Sequence, residues 1–190
     1  SPGYEIVGKV RGLKNVNKGD GTTDYDALGY EALAGVAFQS NPLLRWRILG
    51  GFGVRDYEKA GMASLTTSLM EAEVEWLPTQ RLTIYATLSR KLNDIGGPDG
   101  SSLLQTGLDL RADYEVYHNL LLNVGANIRQ DSSDSLGKPE LVYGGRIGLD
   151  YYLNKNWLFT FSYEHDVRES DSDSREMHRN RFMLGAKLRF

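Results

Sequence analysis

Apolar and polar residues change places at nearly every step along this chain, and no apolar run approaches the roughly 20 residues of a membrane-spanning helix. A period of two sends alternate side chains to opposite faces of a strand, so the pattern predicts β-structure with one apolar and one polar face. About ten such segments can be marked out. The last is the clearest. Over residues 179–190, Phe182, Leu184, Ala186, Leu188 and Phe190 alternate with Arg181, Met183, Gly185, Lys187 and Arg189. A final aromatic residue is unusual at the tip of a soluble strand but well placed in a lipid interface. Phe182, Leu184, Leu188 and Phe190 are therefore the expected signal for the barrel-assembly machinery.

The gaps between segments fall into two kinds that alternate strictly. Ser40-Asn41-Pro42, Pro78-Thr79-Gln80, His118-Asn119 and Asn154-Lys155-Asn156 are short. The gaps at 17–24, 56–63, 93–101, 131–139 and 169–178 are longer and polar. Tight turns on the periplasmic side and long loops outside would sort in this way in a meander crossing a membrane. A soluble sandwich has no reason to sort them. The expected fold is all-β, a transmembrane antiparallel up-and-down β-barrel of about ten strands, with residues 1–190 as a single outer-membrane domain. Crossings of about nine to fourteen residues suffice for a tilted strand, and an even strand number puts both ends of the chain on the periplasmic side. Phe38, Trp46, Trp76, Tyr114, Tyr151, Trp157 and Phe190 all fall beside short turns or the carboxyl end, where a periplasmic aromatic girdle is expected.

Parity then assigns the inside. Arg45 and Arg47 on the third segment answer Glu71, Glu73 and Glu75 on the fourth. If paired positions sum to 120, Arg45 stands opposite Glu75 and Arg47 opposite Glu73. Asp109, Arg111, Asp113, Arg146, Asp150, Glu164 and Asp166 share the inward parity, while Leu104, Leu108 and Leu110 are assigned to lipid. Such charges either fill a narrow barrel as ion pairs or form a constriction that selects solutes. Both signs are present, so strong ion selectivity is not expected.

Other function classes find little support. With 22 basic and 25 acidic residues and a net charge of -3, no nucleic-acid footprint is visible. The absence of cysteine excludes disulfides and thiolate metal sites. Catalysis would need a constellation, yet His118 lies in a short turn, His165 has lipid-facing parity and His178 sits in a long gap. The acidic stretches 131–134 and 169–174 lack the ligand order of a calcium loop, so no metal is assigned, and no cofactor is expected. Gly50-Gly51-Phe52-Gly53 lies inside a strand and is no phosphate loop. The opening Ser-Pro-Gly carries no leader, which fits a processed form or a piece of a longer protein.

Four stretches carry a further resemblance. EAEVEWLPTQRLTIYATLSRKL at 71–92, YYLNKNWLFTFSYEHDVRESDSD at 151–173, HRNRFMLGAKLRF at 178–190 and GVRDYEKAG at 53–61 resemble the β-barrel outer-membrane porin family found with exopolysaccharide and capsule gene clusters. The resemblance covers nearly the whole chain and the carboxyl-terminal half of a typical member, so the alternative fold is the last part of a wider barrel. It implies an outer-membrane location and a role at the exit of surface polysaccharide, with no site residues attached. The functional expectation is a passive pore or conduit in a Gram-negative outer membrane. Its alternative is a structural module without an open lumen, pairing with another chain, and a surface enzyme ranks last. Expected partners are outer-membrane lipids, the assembly machinery, and either polysaccharide-export components or another barrel chain. No nucleic acid is expected.

Overall fold

The computed structural model describes residues 3–17, 25–57, 64–94, 102–132, 138–170 and 175–189. Ten strands follow one another as β1 (Gly3–Asn17), β2 (Tyr25–Asn41), β3 (Leu44–Tyr57), β4 (Leu65–Thr79) and β5 (Leu82–Asp94), then β6 (Ser102–Tyr117), β7 (Leu120–Ser132), β8 (Glu140–Tyr152), β9 (Trp157–Glu169) and β10 (Met177–Leu188). They form a single antiparallel sheet in which every strand hydrogen-bonds to its neighbour in sequence. The alternation of turns is reproduced, since residues 42–43, 80–81, 118–119 and 153–156 make the short connections. The strands are longer than expected, reaching 17 residues in β2. His178 belongs to β10, opposite Val167, and not to a loop. Phe190 and the acidic positions 133–134 and 171–174 lie outside the described residues.

Each of the first three short turns is flanked by a register irregularity, at Gln39/Asn41, Trp76/Thr79 and Glu115/Tyr117. An extra residue there bends the strand and increases its twist, which a closing sheet requires. Each of these turns is also tied to the end of a neighbouring strand. Leu77 N–H donates to the Leu43 carbonyl at 2.7 Å, Glu115 N–H to Arg81 at 2.8 Å and Tyr152 N–H to Asn119 at 2.9 Å. Tyr4 packs on Phe38 and Phe38 on Trp46 at this end, with ring centroids 4.4 and 5.4 Å apart. Both ends of the described chain lie here too, Gly3 beside Gln39 and Leu188 beside Trp157.

The two faces are inverted relative to a water-soluble sheet. Ile6, Ile48, Phe52, Val74, Trp76 and Leu110 are exposed on one face, while Glu31, Arg55, Asp131 and Asp166 are buried on the other. Water would oppose that arrangement, and hydrocarbon favours it. The apolar face is therefore the outer, lipid-facing surface.

Curvature has a local cause between β2 and β3. A Cβ added at Gly35 would overlap the Ile48 carbonyl oxygen, and one at Gly51 would overlap the Ala32 carbonyl oxygen. These two inward positions let the backbones fold over the inner face more tightly than any side chain allows. Inside the bend Leu49, 1% exposed, clusters with Leu33, Leu69 and Leu92. Lys9 on β1 reaches Glu71 on β4 at 2.7 Å, spanning the inner surface of the two strands between them.

Two outcomes are expected. Ile48→Arg or Val74→Arg should lower stability in lipid vesicles by about 2–4 kcal/mol near the midplane, read by urea unfolding, with most single inward substitutions costing less. Gly35→Ala or Gly51→Ala should cost about 1–3 kcal/mol by overpacking the bend, visible as loss of the heat-modifiable folded band.

Candidate functional site: the charged inner face

The inner face is built by register. In the β3–β4 hairpin Arg45 stands opposite Glu75 and Arg47 opposite Glu73. Arg47 Nη2 donates to Glu73 Oε1 at 2.8 Å, and the Arg45–Glu75 pair is looser at 3.5 Å. These pairs border a cavity of about 370 Å³ at the short-turn end, which also meets Gln39 and Tyr85. Four of its polar walls are thus two acids and two bases, each beside its opposite.

Across the sheet the same logic repeats. Arg111 clamps Asp113 two residues along its own strand, with bonds of 2.8 and 2.7 Å, and its guanidinium lies 5.6 Å from the Tyr85 ring centroid. Residues i and i+2 share a face, so a strand can neutralise its own charge this way. Arg129 does the same with Asp131 at 2.8 Å. Asp150 accepts from Asn123 Nδ2 at 3.3 Å. On β9 and β10, Arg179 pairs with Asp166 at 2.5 Å and Arg181 with Glu164 at 3.1 Å. Arg146 holds the register position between Gly125 and Glu164, and Asp109 that between Thr87 and Asn127. The register thus gives all twelve charged candidates one face. The outward set Phe182, Leu184 and Leu188 is exposed on β10.

The most buried charges were not among those candidates. Arg55, 1% exposed, donates to Glu31 Oε1 at 2.7 Å, and Glu31 also accepts from Arg11 at 3.0 Å. A charge taken this far from water must be paired, and the second cation on Glu31 satisfies its other oxygen. Gly29 makes the room, since a Cβ there would strike the Arg55 guanidinium. Arg55 shares the inward parity of Arg45 and Arg47 on β3, and the β2–β3 register puts Glu31 on the same face. Their depth depends on the bend and on β5, which local pattern does not encode. One assignment is corrected. Leu104 does not face lipid but packs against Leu33, Leu49, Leu69 and Leu92.

Among the described residues no group of three or more His, Asp or Glu could hold a metal ion. His165 stays on the outer face, where its Nδ1 lies 2.8 Å from Asn180 Oδ1, an oxygen that also accepts from the Tyr163 hydroxyl. It faces none of the inward acids.

Comparison with known proteins agrees with this geometry. The fold is similar to that of OmpT, an outer membrane protein of Vibrio cholerae, with a TM-score of 0.58 at 14% identity, over 93% of this chain and 63% of that one. It is similar to the NanC porin with a TM-score of 0.54 at 10% identity, over 97% and 94% of the two chains. A Pseudomonas aeruginosa FadL homologue matches with a TM-score of 0.54 at 12% identity, over 98% of this chain and 63% of the other. The chain therefore spans less than two thirds of the Vibrio and Pseudomonas barrels. No curated protein matches the sequence. The family model described as "Putative beta-barrel porin 2" matches residues 9–190. The chain accordingly belongs to that porin family and is a β-barrel of the bacterial outer membrane.

Proposed function

We propose that the protein is a passive, non-enzymatic pore for small polar solutes, working beside the export of surface polysaccharide. The observation that carries the pore reading is the inversion of faces. A polar inner surface, with a cavity of about 370 Å³ at its periplasmic end, sits inside an apolar shell. Paired Arg, Asp and Glu line that face, and along an open lumen they present a polar wall to water and solute. The polysaccharide link rests on the four resembling stretches alone. Outer-membrane lipids and the assembly machinery are the proposed partners, the latter reading Phe182, Leu184, Leu188 and Phe190, with export components beside them.

One feature favours a second reading, a barrel without an open lumen. The interior within β1–β5 is filled by Leu33, Leu49, Leu69 and Leu92 and by the Arg55–Glu31 pair. Small barrels are often filled by their own side chains. Among the described residues β1 and β10 are the two edges of the sheet, with Ile6 92% and Leu184 85% exposed. An unpaired edge in lipid is prohibitive, so a second strand partner is required on each, supplied within the protein or by another chain.

Planar-bilayer recording of the refolded chain separates the two. Discrete openings of weak ion selectivity are expected, and silence from a folded, heat-modifiable barrel would sink the pore. Replacing Glu73 and Glu75 by Gln leaves Arg45 and Arg47 uncompensated, so the reversal potential should move toward anion preference. An unmoved reversal potential places the conducting path elsewhere.

A further inference from the structure

The β4–β5 ladder runs only as far as Met70–Arg90, whereas the β5–β6 ladder continues to Asp94–Ser102. Beyond that split the faces of β5 exchange environments. Leu92, on the lipid-facing parity, is 4% exposed, while its neighbour Lys91, on the inward parity, is exposed. Leu92 clusters with Leu33, Leu49 and Leu69, all three on the inner face, and its cross-strand partner Leu104 packs against the same group. Arg55 Nη2, pointing inward from β3, donates to the Leu92 carbonyl at 3.3 Å. Where the missing rungs would lie, Arg90 Nε donates to the Ser68 carbonyl at 3.2 Å. These contacts share one geometric requirement. The described ends of β5 and β6, from Leu92 and up to Leu104, have left the wall and lie inside β4, their former lipid face turned down onto the inner surface of β2, β3 and β4.

We propose that this hairpin end is an inner strap that narrows the passage, with Leu92 and Leu104 as its apolar foot and Arg55 as its latch. Its amphipathic pattern serves the position. Leu92 and Leu104 meet Leu33, Leu49 and Leu69, while Asn93 and Gln105, hydrogen-bonded to each other, hold the opposite face. Glu31 fixes the Arg55 guanidinium with one Oε1 contact, leaving Nη2 shared between that carboxylate and the Leu92 carbonyl. Loss of the strap would then widen the extracellular half without touching the Arg45–Glu75 end. The narrowing rests on the pore reading, but the position of the strap does not.

The native chain has no cysteine, so thiol pairs can be placed at will. If β5 stayed in the wall, extending its register would put Leu92 beside Ser68 on the lipid face, with Leu69 hidden behind the sheet. A short thiol-to-thiol cross-linker, applied to the full chain refolded in vesicles, should therefore join Leu92→Cys to Leu69→Cys and fail on Leu92→Cys with Ser68→Cys. The reverse result overturns the strap. If either pair misfolds, a fluorophore on Leu92→Cys alone decides, because brominated lipid should quench it less than one on Leu88→Cys, and equal quenching refutes the inward position. Leu104→Asp puts a charge on the apolar foot, so it should lower the Leu92–Leu69 cross-link yield and enlarge single-channel conductance. Lower cross-linking with unchanged conductance overturns the narrowing role. Silence from every variant, with the cross-link intact, overturns the pore reading and leaves the strap standing.

Discussion

Inside a bilayer no water is available to satisfy a backbone N–H or carbonyl, so each strand must find both of its partners within protein. Everything else in this molecule is arranged around that ladder. Nine consecutive antiparallel pairings carry it from β1 to β10. The short turns keep neighbours in register, and the bonds from Leu77, Glu115 and Tyr152 to the neighbouring turns carry the satisfaction to the strand ends. Where the ladder stops, between β4 and β5, a side chain takes its place, and Arg90 satisfies the Ser68 carbonyl. An interruption in a membrane wall is tolerated only with such a substitute or with protein packed behind it. Here both are present.

A curved ladder must also accommodate what it encloses. The bend at Gly35 and Gly51 draws β1 toward β4 and brings Lys9 within reach of Glu71. It also carries Arg55 and Glu31 away from water. Burial of that pair is costly, and its attraction offsets the cost only because geometry and further hydrogen bonds are good. Glu31 meets these terms with two guanidinium groups, and Arg55 with a carboxylate and a carbonyl. On the β6–β10 side Asp131 and Asp166 are buried as well, but their partners Arg129 and Arg179 are open to solvent, so each pair contributes less to stability and more to the character of the surface.

Much of this was legible in the sequence because a strand's period is local. Residues i and i+2 share a face whatever lies across the barrel, so the alternation at 179–190 gave β10 its two sides before any partner was known. For β3 and β4 the inward positions are odd on both strands, which restricts paired positions to an even sum, and the ladder takes the value 120. What parity could not supply was depth. Leu104 obeys the lipid-facing pattern of β6 yet packs against Leu33, Leu49 and Leu69, whose own parity is inward. Nor does anything local to Lys9 name Glu71, or anything near Arg55 name the Leu92 carbonyl. Those contacts depend on a bend set by two glycines elsewhere in the chain, and a glycine in a strand announces room without saying what will fill it.

The cross-strand pairs of β3 and β4 have an electrical meaning beyond their stability. Alternating charges a few ångströms apart make fields that cancel at a distance, and at physiological salt the remainder fades within a Debye length of about 8 Å. An ion moving along that surface meets no sustained barrier or well. A solute carrying separated charges or a large dipole meets a local torque instead, with Arg47 and Glu73 acting on its two ends. In the pore we propose, such a wall would orient what passes more than it sorts by sign.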